Sequence, residues 1–224
     1  MFNECIFFIY VASVTLTALY AARISREAVV VLLCSQCMLM NLFVTKEITL
    51  FGLIATAADA LGVGVALCLN ILQELYGKAY AQRAIWLGLG CSLLYVMYAM
   101  LHCAFIPSVY DASNIHFLAL LLPMPRIIIA SLFSYIVVQY ADSYLYELFT
   151  KAFRGRFFTL RSNASIAITQ FLDTILFSIL GLYGLMHNIG SIIIVSYFIK
   201  LVVLMMATPF LFFFKRILTP KSHV

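Results

Sequence analysis

The sequence predicts an all-α, polytopic transmembrane helix bundle, and three observations carry that expectation. Of 224 residues, 65% are hydrophobic and only 10% are charged, and the mean hydropathy is +1.07. A water-soluble domain carries about 25% charged residues. No soluble interior of this size could hide so much apolar side chain, so lipid must cover the outside. No Pro/Gly/Ser-rich linker or long charge run divides the chain, which reads as a single transmembrane domain over 1–224.

A bilayer core of about 30 Å takes about 20 residues of helix. Spans are predicted near 5–22, 28–45, 50–73, 84–105, 122–147, 163–184 and 191–214. Helix is expected because a run of this length satisfies every backbone group within its own segment. The roughly ten-residue alternation of transmembrane strands is missing. The first run follows Glu4, with its basic residues Arg23 and Arg26 after it, the order of a retained helix rather than a cleaved signal.

Loop charges then set count and orientation. Arg23 and Arg26, Lys78 and Arg83, Lys151, Arg154, Arg156 and Arg161, and Lys215, Arg216 and Lys221 fall on one side if there are seven spans. That is eleven of the fourteen basic residues. The positive-inside rule therefore puts the N-terminus outside and the C-terminus in the cytoplasm. It also explains the net charge of +5 without nucleic acid, for which no basic stripe is present.

Chemistry is sparse. Cys34-Ser35-Gln36-Cys37 has C-x-x-C spacing, but no second pair or nearby His completes a zinc site, so the six cysteines read as small thiols packing between helices. No hydrolase, metalloprotease or nucleotide-binding motif occurs, so neither an enzyme nor a cofactor is expected.

Ionisable groups at bilayer depth are the informative residues, because burying them there is costly. Asp59 falls in span three. Arg126 lies near the outer end of span five, and Gln139 and Asp142 in its inner half. Gln170 and Asp173 fall in span six, and Lys200 near the middle of span seven. Gln139-Tyr140-Ala141-Asp142 and Gln170-Phe171-Leu172-Asp173 share Q-x-x-D spacing, which projects both polar groups from one helix face. Spans five and six are consecutive, so the two faces can meet. Asp173 and Lys200 have similar depths and opposite charges and can pair. Span three ends in Asn70, Gln73 and Glu74, just before Tyr76-Gly77. Any one of these could be glue between helices. Two matching faces and a mid-membrane lysine favour a polar cavity.

These residues also resemble a family. The stretch from Asn70 through Gln73-Glu74 and Tyr76-Gly77, then Ala81, Arg83 and Ile85-Trp86, is similar to the "D-x-L-T-E-x-Y-G … A-R-R-x-I-W" run of queuosine precursor transporters. That is the vitamin uptake transporter family, once a domain of unknown function. The likeness continues through Arg126-Ile127, both Q-x-x-D segments, Asn163, Tyr197, Lys200 and Pro209, over roughly 40–215. Asn70 departs from the family's Asp, and the first helix looks like an addition. The resemblance implies uptake of a small molecule across the bacterial inner membrane: queuine, 7-cyano-7-deazaguanine or 7-aminomethyl-7-deazaguanine. It implies a substrate site made from Gln139, Asp142, Gln170, Asp173, Asn70, Arg126 and Lys200. A carboxylate can accept adjacent N–H donors of a guanine-like edge, a Gln amide can complete the set, and an aromatic slot would hold the ring. Tyr135, Tyr140, Phe171 and Phe177 are candidates for that slot. Two other readings stay open: the substrate-capture subunit of an energy-coupling-factor-type importer, and a structural membrane protein.

Overall fold

The computed structural model describes residues 2–152 and 158–202, without the side chains of Lys78, Gln139, Asp142, Ser143, Tyr146, Glu147 and residues 149–152 and 158–166. The basic residues Arg154, Arg156, Lys215, Arg216 and Lys221 lie outside the described residues, as does the end of the seventh predicted span.

Helices dominate. They are α1 (Phe2–Ile24), α2 (Arg26–Phe43), α3 (Asp59–Tyr76), α4 (Lys78–Cys103), α5 (Asn114–Leu121), α6 (Met124–Ala152), α7 (Phe158–Phe177) and α8 (Ile189–Val202). Among the described residues, α1 to α4 and the Asn114–Val138 stretch are long and apolar enough to cross a bilayer, with shorter apolar helices over Ala167–Leu182 and Ile189–Val202. The chain is thus an all-α polytopic membrane bundle.

Breaks between helices have local causes. Ser25 is extended and its hydroxyl accepts from the Ala28 amide at 3.1 Å, which starts α2 one residue after α1 stops. Gly77 separates α3 from α4 with φ +88°, a backbone state that a side chain would strain.

One core cluster shows how α1–α4 run. Ala18 and Ala21 near the end of α1 pack with Val29 and Leu33 near the start of α2, with Cys68, Ile71 and Leu72 late in α3, and with Ala81 and Ala84 early in α4. Ends and starts meet only if the four helices alternate in direction. Small residues let them approach closely. A Cβ added at Gly64 would lie 2.7–2.9 Å from the buried Gln36 amide, and one at Gly88 would lie 3.0 Å from Leu33.

The structure corrects the third predicted span. Residues 50–58 are not helix. A hairpin of β1 (Glu47–Leu50) and β2 (Leu53–Thr56) precedes α3, joined at Phe51-Gly52. Both loop residues have positive φ, +51° and +80°, the twist that a two-residue hairpin turn requires. The strained Phe51 is held from α1: Glu4 accepts its amide at 3.0 Å and the Phe8 ring packs against its own. Leu50 and Ala55 are fully buried with Phe7, Ala60 and Val195. The hairpin therefore plugs the end of the bundle where α1 and α3 begin.

Candidate functional site

α3, α7 and α8 together build a polar seam. Lys200 on α8 donates from Nζ to Asp173 Oδ2 at 2.6 Å and to Thr174 Oγ1 at 3.1 Å. The Thr174 hydroxyl in turn donates to the Gln170 carbonyl at 2.7 Å, leaving its oxygen free to accept from the lysine. One turn earlier on α8, Ser196 Oγ lies 2.9 and 3.0 Å from the two carboxylate oxygens of Asp59. Thr56 at the end of the hairpin and Lys200 are the other polar groups acting on that carboxylate. Ser196 and Lys200 are four residues apart and so share a helix face. The seam runs from Thr56 and Asp59 through Ser196 and Lys200 to Asp173, Thr174 and Gln170. Among the described side chains it holds two carboxylates and one ammonium.

The Asp173–Lys200 pair is not sealed. The two side chains are 29% and 35% exposed. An aromatic pair stands next to it: Phe171 and Tyr197 have ring centroids 4.9 Å apart, and the Tyr197 hydroxyl donates to the Ala167 carbonyl at 3.3 Å. A charged, hydrogen-bonding seam beside a tilted pair of rings offers a flat polar solute hydrogen bonds at its edge and an aromatic surface for its face.

The other predicted residues fall as follows. Gln139 and Asp142 lie on α6, with side chains outside those described. Their level is set by the close approach of Ala130 to Gly181, where an added Cβ would stand 3.3 Å from the alanine methyl. Nine residues on from Ala130 is Gln139, and nine residues back from Gly181 is Leu172. The two Q-x-x-D segments thus share a depth on neighbouring antiparallel helices.

Arg126 is engaged elsewhere. α7 ends in a π-helical turn, Ser178–Leu182, which leaves carbonyls without helical partners. The guanidinium donates to the Leu180 carbonyl at 2.9 Å and to the Tyr183 carbonyl at 2.7 Å. A cation at a helix C-terminus also opposes the helix dipole. Asn70 is partly buried on α3, eleven residues beyond Asp59 and so about 16 Å along the helix. It is not brought to the seam. Of the predicted aromatic candidates, Phe171 adjoins the seam. Tyr135 packs edge-on to Trp86, Tyr140 is exposed, and Phe177 packs with the Ile127 and Leu182 cluster.

Ser196, Thr174 and Thr56 were not singled out as site residues by their chemistry. Hydroxyls in apolar helices are common, and only the i, i+4 spacing of Ser196 from Lys200 hints at a shared face. Asp59 stood out as an intramembrane carboxylate, but nothing in sequence joined it to α8.

Charged groups joined across the interior of a helical membrane bundle mark a candidate solute-handling site, and the family and the relative that the chain matches are both named as transporters. Residues 56–214 match the family described as "Putative vitamin uptake transporter", and the chain belongs to that family. It is 30% identical, over 187 residues, to the "Probable queuosine precursor transporter" of Bacillus subtilis (strain 168), covering 80% of this chain and 79% of that protein. No solved structure matches.

Proposed function

We infer that this chain imports queuosine precursors, the 7-deazaguanine bases used for tRNA modification, across the bacterial inner membrane. The observation that carries the reading is the Asp173–Lys200–Thr174 constellation inside the bundle, on a chain similar over most of its length to a protein named for that solute class. Asp142 supplies acceptors for the N–H donors of the base edge, while Asp173 holds Lys200 and meets the amine that queuine and the aminomethyl compound carry. Gln139 and Gln170 complete the hydrogen-bond set, and Phe171 with Tyr197 flanks the ring. Lys200 balances Asp173 when no solute is bound. Seven helices, α1 to α4 and α6 to α8, cross the membrane with the N-terminus outside, as the loop charges favour.

The test is queuosine in tRNA from cells that neither make nor import the precursors. Expression of this chain restores the modification when queuine, 7-cyano-7-deazaguanine or 7-aminomethyl-7-deazaguanine is supplied. No restoration by any of the three, with the protein abundant in the membrane, contradicts the reading.

A further inference from the structure

Of the seam's two described carboxylates, Lys200 is bonded to one. Asp173 takes its ammonium directly, whereas Asp59 takes the Ser196 hydroxyl on both oxygens and feels Lys200 only through space. Ser196 is one turn before Lys200 on the same face, so the position it fills lies about 6 Å back along α8. A lysine stem is long and flexible enough to cover that distance without moving the helix.

The geometry points to Lys200 as a tethered counter-ion that exchanges between Asp173 and Asp59. It rests on Asp173 when the site is empty. It moves to Asp59, displacing the Ser196 hydroxyl, when a positive group of the solute takes its place on Asp173. The proposal rests on the precursor-import reading and adds a role for Asp59, which binds no solute and serves as the second seat for the lysine. A bland account of Asp59 is that an acidic residue favours the first turn of a helix. That account does not explain why both its oxygens face a hydroxyl 137 residues away, on the helix that carries the lysine.

Two ligands with one ring system separate the outcomes. 7-Aminomethyl-7-deazaguanine carries a positive charge and must displace Lys200, whereas 7-cyano-7-deazaguanine is neutral and need not. Binding of each is measured on the purified full chain, and the ratio of the two affinities is the readout. Asp59→Asn removes the second seat, so the ratio shifts against the amine by about tenfold. Lys200→Gln removes the competitor, and the ratio shifts toward the amine. Ser196→Ala keeps both carboxylates and clears the second seat, so it also shifts the ratio toward the amine, by a smaller factor. This third variant decides the matter if Asp59→Asn does not fold. A ratio unmoved in these variants, or moved in the same direction by Asp59→Asn and Lys200→Gln, overturns the exchange. Failure of the wild-type chain to bind either base overturns the precursor reading instead.

Discussion

The two ends of α3 are built on different physics. At its end, Cys68, Ile71 and Leu72 pack into a dry cluster with alanines and thiols from α1, α2 and α4. At its start, Asp59 meets Ser196 and the seam that leads to Lys200 and Asp173. Lipid is as apolar as leucine, so the dry end is held by close fit and an occasional buried amide such as Gln36. The polar end carries charges that fit alone does not require. One end is held by fit, and the other is where we propose that a solute is handled.

Substitutions can break this division. Asp173→Asn has the largest expected effect: it strips Lys200 of its partner, and uptake falls at least about tenfold while membrane abundance changes little. Uptake of labelled base by cells with matched expression checks it. Gly64→Val acts at the dry side, where its new Cβ collides with Gln36. Overpacking costs about 1–3 kcal/mol, so the melting temperature in detergent drops while surviving protein keeps the affinity of wild type. Arg126→Gln leaves the Leu180 and Tyr183 carbonyls without their cation. It costs about 1 kcal/mol, at the low end for charged hydrogen bonds because the guanidinium is exposed, and is seen as a smaller drop in melting temperature. Glu47→Gln is the mildest. It loosens a contact between the hairpin and His187, whose amide and ring nitrogen lie 2.6 and 3.1 Å from the carboxylate. An exposed pair of this kind contributes less than about 1 kcal/mol, and added salt should erase the difference from wild type.

Much of this was legible in the residues themselves. Long apolar runs announce helices, and the opposite charges of Asp173 and Lys200 at similar depth announce their pairing. The hairpin was not legible. Ile48 to Thr56 is short and apolar, and periodicity cannot separate a buried strand from part of a helix over such a run. The one local signal, Phe51-Gly52, is weaker than the Asn-Gly or Asp-Gly that usually marks such a turn. The backbone partners of Arg126 have no signature in the sequence, because those carbonyls are freed only where α7 unwinds into its π turn. The same holds for Asp59 and Ser196, whose contact depends on how α8 lies across the start of α3.

The central claim is that solute enters the seam and not the dry cluster. Cysteine accessibility tests it most directly, in a chain whose native cysteines are replaced. A single cysteine is placed at Gln170 in the seam or restored at Cys68 in the dry cluster, and its labelling by a small water-soluble thiol reagent is timed with and without a 7-deazaguanine base. The account predicts that Gln170→Cys is labelled and that the base slows the reaction, while Cys68 is indifferent to the base. Equal protection at both positions, or none at Gln170→Cys under conditions of active uptake, would contradict it.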